Sequence, residues 1–425
     1  MSTKFPSHNP YFKASGKDVW SLVNEAAAKA ASTSTREIIN LGQGFFSYSP
    51  PQFAINAAKD ALDVPAYNQY AHTKGKPNLL KALATTYSKH YGRELSTDEI
   101  LVTTGANEAI LTILTGFLEK GDEVIVFEPF FDQYISNIEI PGGKVVSVPL
   151  HPPKEISERN VKGEEWKIDF KELENSITDK TKIIILNTPH NPIGKVFTKE
   201  ELLKIGELAV KHNILIVSDE VYENLYYTPE FTRIATLSPE IGNLTLTVGS
   251  GGKSFAATGW RIGWIIGHPE LLKYASLAHT RICFSTPAPL QEATATALNE
   301  SLENGYFEKT RQDYIKKYEI FTKVWDELGL PYTIAEGAYY LLVDFSKVKI
   351  PKDYKYPEDL NGRAKDFKTS YWLIQELGVV AIPPTEFYIK EHEHVAENLL
   401  RFAICKDDET LEKAVVRLRE LKKYI

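Results

Sequence analysis

Leu244-Thr245-Leu246-Thr247-Val248-Gly249-Ser250-Gly251-Gly252-Lys253-Ser254-Phe255 passes from an apolar, β-branched run into a glycine and serine loop carrying one lysine. Thr258-Gly259-Trp260-Arg261-Ile262-Gly263 then brings an arginine. The opening run reads as a buried strand, and the loop as its exit at the carboxyl end, where open α/β sheets collect ligands. Small neighbours leave a lysine amine uncrowded and let a phosphorylated molecule approach the backbone. Ser250, exposed N–H groups and Arg261 suit that phosphate, and Lys253 suits a nucleophile. Taken alone, the segment reads equally well as a glycine turn with a solvated lysine.

Outward from this stretch the pattern repeats. Apolar runs at 100–102, 123–127, 144–148, 182–186 and 214–217 alternate with helical segments such as 105–118 and 199–211. Near-continuous apolar strands separated by helices predict a mostly parallel sheet covered on both faces, an α/β fold. Chemistry-bearing residues follow these strands at 103–107, 128–134, 187–194 and 219–222, as that sheet requires. After about residue 330 the texture changes: a strand near 339–344, a polar loop at 351–361, and helices near 368–377 and 409–423. This predicts a large domain over 45–330 and a smaller α+β domain from 331–425 with 1–44, linked by the amphipathic stretch 269–330.

The 425 residues, 43% hydrophobic, supply apolar material for two cores. A formal charge of -7, from 49 basic and 56 acidic residues without a long basic block, argues against nucleic-acid binding. Two cysteines, Cys283 and Cys405, form neither a disulfide framework nor a zinc motif, and a reducing compartment fits. No apolar run is long enough to span a membrane. Residues 1–17 lack arginine and an apolar h-region, unlike a signal peptide or a mitochondrial presequence. A cytoplasmic location is expected, with the mitochondrion left open. None of the ten histidines pairs with cysteine or carboxylate at a metal spacing, so no metal is expected; His190, His392 and His394 read as solvated.

Asn40-Leu41-Gly42-Gln43-Gly44-Phe45, Glu128-Pro129-Phe130-Phe131-Asp132, Asn187-Thr188-Pro189-His190-Asn191-Pro192-Ile193-Gly194 and Val379-Val380-Ala381-Ile382-Pro383 complete the set. With them the chain resembles, over about residues 20–425, the class I aminotransferases of fold type I that depend on pyridoxal 5'-phosphate (PLP). Within that family it is most similar to the kynurenine aminotransferase and cysteine-conjugate β-lyase group. The resemblance implies a seven-stranded, mostly parallel sheet between helices in the large domain. It also implies a Schiff base between Lys253 and PLP, whose phosphate and aldehyde match the chemistry of the opening stretch.

Asp219 ends a buried apolar strand, where a carboxylate is costly without a cation; the resemblance supplies the cofactor's pyridine nitrogen. Tyr222 and Asn191 are implied to hydrogen-bond the ring 3-oxygen. Gly105-Ala106-Asn107 opens a helix, where free N–H groups favour an anion, and Ser250 and Arg261 complete the implied phosphate site. Tyr70 is implied to reach that phosphate from the other subunit of a homodimer. Phe131 is implied to stack on the ring, with Phe130 as the alternative register. Arg401, amid apolar residues, offers the bidentate fork for a substrate α-carboxylate, and Gly44 matches a glycine close to the substrate. Tyr339 and Tyr340 read as small-domain core, with Tyr339 alternatively at the substrate entrance.

Lys253 would also shuttle a proton, so Lys253, Asp219 and Tyr222 form the expected catalytic set. The implied reaction moves the amino group of L-kynurenine to 2-oxoglutarate by a ping-pong route, giving kynurenic acid and glutamate. The alternatives are β-elimination of cysteine conjugates, a broad aromatic or glutamine aminotransferase, and, remotely, a non-catalytic PLP-fold regulator. Ser285 departs from a histidine of the animal enzymes, and Asn107 from a bulky aromatic of some relatives; both departures bear on specificity.

Overall fold

The computed structural model describes residues 7, 9, 11–12, 17–33, 36–228 and 230–425. The apolar runs become β1 Ile100–Thr103, β2 Glu123–Glu128, β3 Lys144–His151, β4 Lys167–Ile168, β5 Thr181–Asn187, β6 Leu215–Asp219, β7 Thr245–Ser250 and β8 Gly263–Ile266. Together they form one eight-stranded sheet in the order β1-β8-β7-β6-β5-β2-β3-β4. β2, β3, β5, β6 and β7 run parallel, while β8 is antiparallel to both of its neighbours. The expected count of seven is therefore corrected by β4, a two-residue strand antiparallel to β3 at the edge. β8 is buried along its whole length.

This strand order puts the carboxyl ends of β1, β2, β5, β6 and β7 along one edge. Helix Ala106–Phe117 packs Ile110, Ile113 and Leu114 on one face of the sheet, against Val124, Val126 and Ile183. Helix Lys199–His212 covers the other face through Leu202 and Ile205. Thr198 and Glu201 form a capping box at its start, and Asn213 ends it in the left-handed conformation at φ 54.

The stretch 269–330 is three helices, Pro269–Ile282, Ala288–Ser301 and Tyr306–Leu328. The third reaches across: Tyr306 and Phe307 pack on Phe255, while Phe321 and Trp325 pack on Phe402. Beyond it, β9 Tyr340–Asp344 pairs antiparallel with β10 Leu399–Ala403. Helix Val19–Thr33 shares a core with helix Lys365–Leu377, and Ile39–Asn40 pairs with Val379–Val380.

Behind the site edge, Arg233 is buried between Glu220 and Glu223, ion-paired to both. Tyr87 donates to Glu223, Trp264 Nε1 donates to Tyr87 at 2.8 Å, and Ser218 donates to Glu220 at 2.8 Å. Burial pushes the Glu220 carboxyl up to about 7 although Arg233 opposes it. The network pins both carboxylates on the far side of the turn that presents Asp219 and Tyr222. Removing the shared cation leaves two buried acids uncompensated, so Arg233→Met is expected to lower unfolding free energy by about 3–5 kcal/mol. A urea midpoint checks it, and adding Glu220→Gln should restore part of the loss.

Candidate active site

A cavity of about 260 Å³ opens at the carboxyl edge, with Lys253, Asp219 and Arg401 all on its wall. Lys253 lies in the single helical turn Gly251–Ser254, whose first N–H groups follow Ser250; the Ser250 hydroxyl accepts from the Lys253 N–H at 3.3 Å. The Lys253 amine donates to the Tyr339 hydroxyl at 2.6 Å and the Gly44 carbonyl at 3.4 Å. Among the described residues no carboxylate pairs with it, so the amine is held by neutral partners that a reaction can displace. Tyr339 is thus more than core: it is fully buried, yet its hydroxyl meets the lysine and donates to Gly44 at 3.0 Å.

Asp219 ends β6 buried, accepting from the Tyr134 hydroxyl and, at 3.4 Å, from the Val221 N–H. Burial pushes its carboxyl up to about 6, with Tyr134 acting in the opposite direction. Tyr222 stands beside it, its hydroxyl 3.1 Å from that of Tyr340, and burial followed by Tyr340 raises its phenol well above the ordinary range. Asn187 fixes the Asn191 N–H at 2.8 Å.

Gly105 opens the helix Ala106–Phe117 at φ 82. A Cβ there would lie 2.6 Å from the Arg261 guanidinium, so glycine is what lets the arginine close on the turn. Ala106, Asn107, Ser250 and Arg261 all line the cavity, and Asn137 holds the Asn107 amide oxygen at 2.9 Å. Phe131 lines it too, whereas Phe130 is buried in the core and donates its N–H to Phe387 at 2.9 Å. Gly44 is packed so closely that a Cβ would come within 2.4 Å of the Tyr340 hydroxyl.

Arg401, on β10, is 2% exposed. Its Nη atoms donate to Asn191 Oδ1 at 3.2 Å and the Gly42 carbonyl at 2.8 Å, and its plane lies near Tyr340 and Phe387. Its Nε has no partner, and among the described residues no carboxylate pairs with it. A buried guanidinium without an anion, facing a cavity, is built to receive one.

The structure does not bring Tyr70 to this cavity. It is 89% exposed and sits edge-on to Phe284. The histidine expectations need correction. His190 is buried, its imidazole pushed down to about 3 by desolvation. His392 pairs with the fully buried Glu128; only His394 is exposed. His279 lies 2.9 Å from Glu108 and 3.4 Å from Cys283, the C-cap of its helix, a grouping the four-residue spacing of 279 and 283 could have signalled. Glu108 also accepts from Thr112 and from the Thr104 N–H, so the cluster braces the turn before Gly105.

Sequence reasoning missed Tyr134 and Lys406. The Lys406 amine is buried and donates to the carbonyls of Phe45 at 2.6 Å and Gln43 at 3.1 Å, clamping the loop on both sides of Gly44. A lysine directly after the apolar run 402–405 was its only signal.

Among the described residues no helix is long and apolar enough to cross a membrane. The family model "Aminotransferase class I and II" matches residues 36–418. The chain is 66% identical to "Probable kynurenine--oxoglutarate transaminase BNA3" of Saccharomyces cerevisiae, covering 100% of this chain and 97% of that one. The crystal structure of Bna3p from the same yeast superposes with a TM-score of 0.98, covering 99% of this chain and 100% of that one. A kynurenine--oxoglutarate transaminase of Dictyostelium discoideum is 38% identical, covering 96% and 95%. A lysine, a buried carboxylate and an unpaired buried arginine around one cavity are thus carried by a chain that belongs to the class I and II aminotransferases.

Proposed function

We propose that this aminotransferase uses PLP to move the amino group of L-kynurenine to 2-oxoglutarate, yielding kynurenic acid and glutamate. The observation that carries the reading is Arg401: its unpartnered Nε and its lack of an anion among the described residues suit the α-carboxylate shared by donor and acceptor. The donor is suggested by the relatives named above, and the aromatic walls Trp20 and Tyr340 suit an aryl side chain.

The residues fit PLP. Asp219 is a buried carboxylate with room for a cation, the Gly105–Arg261 turn suits a phosphate, and Lys253 stands between them. Bound there, PLP would supply an aldehyde for the amines of lysine and substrate and an electron-accepting ring for the α-carbon. Asp219 would hold the ring nitrogen, Tyr222 and Asn191 the 3-oxygen, and Ala106, Asn107, Ser250 and Arg261 the phosphate. Phe131 would lie against the ring. Arg401 would orient the carboxylate near Gly44, and the Lys253 amine, released from Tyr339, would carry the proton from the substrate Cα. Tyr70, fully offered to solvent, would reach the partner's site in a homodimer.

Incubation of the PLP-loaded protein with L-kynurenine is expected to give kynurenic acid over many turnovers only when 2-oxoglutarate is present. A trace alone would overturn the donor assignment, and pyruvate from a cysteine conjugate without acceptor would favour β-elimination.

Asp219 also sets a pH dependence. Its pKa is raised on folding, so the folded chain binds the extra proton, and stability is lost as pH rises from the unfolded value, near 4, through about 6. In protein stripped of cofactor, Asp219→Asn should therefore gain on wild type by about 2 kcal/mol between pH 4 and pH 7. Urea midpoints at the two pH values measure it.

A further inference from the structure

Tyr134 is 3% exposed and belongs to the short helix Gln133–Glu139, just after Phe131. Its hydroxyl reaches Asp219 Oδ2, and its ring stands edge-on to Phe131, centroids 5.6 Å apart at 84°. Burial, followed by the Asp219 charge, holds the phenol well above its ordinary range, so Tyr134 donates and Asp219 accepts. The other oxygen, Oδ1, has only the long 3.4 Å contact from Val221 N–H.

We propose that Tyr134 is a positioning residue: by occupying Oδ2 it leaves Oδ1 for the cofactor's ring nitrogen and keeps the shared proton on that nitrogen. This rests on the reading of Asp219 given above. Donation to Oδ2 disperses the carboxylate charge and makes Asp219 the weaker base of the pair. Without it the proton passes toward Asp219, the ring nitrogen becomes neutral, and the ring draws electrons less strongly. The same change raises the proton affinity of the nitrogen linking the lysine to the cofactor, which visible absorbance reports. Phe131 and Tyr134 thus act together, one against the ring face and the other through its nitrogen.

Tyr134→Phe keeps the ring contact with Phe131 and removes only the donor. A hydrogen bond to a charged group shifts a protonation equilibrium about tenfold to a hundredfold. In the holoenzyme, Tyr134→Phe should raise the midpoint of the absorbance titration by roughly one unit and lower kcat about tenfold. KM for L-kynurenine should stay within about twofold, because the hydroxyl acts on the chemical step rather than on binding. 3-Fluorotyrosine placed at 134, a stronger donor that preserves the fold, should move the midpoint downward.

Asp219→Asn in parallel separates the two levels of the argument. If it raises the midpoint while neither change at Tyr134 moves it, the role of Tyr134 is overturned and that of Asp219 stands. If Asp219→Asn leaves the midpoint unchanged, the Asp219 reading falls and takes Tyr134 with it.

Discussion

Lys253→Ala should lower kcat by at least about 10⁴-fold, because one side chain is lost from two steps, attachment of the cofactor and transfer of the α-proton. The fold should survive. Among the described residues the Lys253 amine makes only two hydrogen bonds, to Tyr339 and Gly44, and those two groups already bond each other. The unfolding midpoint should therefore change little while activity collapses. Borohydride reduction of the wild-type holoenzyme should label a peptide containing Lys253 and leave the variant unlabelled. Lys253→Arg should fail almost as completely, since a guanidinium keeps the charge but stays protonated and can neither attack an aldehyde nor accept a proton. A small primary amine added to Lys253→Ala should restore part of the proton transfer. Full activity in Lys253→Ala would refute the mechanism.

How legible this site was depends on how each residue reaches it. The strands were readable because their apolar runs are continuous, and their carboxyl ends pointed to Asp219, Asn191 and the 249–255 loop before any contact was known. β8 was not read as a strand: its four residues follow directly on the Arg261 motif, too short to show a period of their own. Tyr134 and Lys406 were missed, and Tyr339 read first as core, because each joins the site only through the fold. Tyr134 lies 85 residues from Asp219, Tyr339 86 from Lys253, and Lys406 361 from Phe45. His392 reads as solvated in a charged run until Glu128, 264 residues away, is folded against it. Pattern in a single chain reports burial along an element, not which buried group a distant element will supply.

Arg401 yields the second large effect, with opposite signs in activity and stability. Replacing it by methionine removes what is, among the described residues, the only guanidinium facing the cavity from a buried position, Arg261 being on the exposed rim. Loss of one partner of a buried, hydrogen-bonded charge pair costs about 2–5 kcal/mol, so kcat/KM for L-kynurenine and for 2-oxoglutarate should fall roughly 30- to 5,000-fold. An amine without an α-carboxylate should lose far less, so the preference for amino acids over such amines should shrink by a similar factor. Arg401→Lys should fall between, because a point charge cannot make the two-pronged contact. In the absence of substrate, however, the guanidinium is a buried cation balanced, among the described residues, only by Asn191 Oδ1, the Gly42 carbonyl and aromatic faces. Desolvating it costs stability that an apolar side chain of similar length does not. Arg401→Met should therefore unfold at a higher urea concentration than wild type while turning over far more slowly. A variant both less active and less stable would mean that Arg401 chiefly ties Gly42 to Asn191. A more stable, less active one would mean that the chain tolerates an unpaired cation for the sake of the carboxylate it receives.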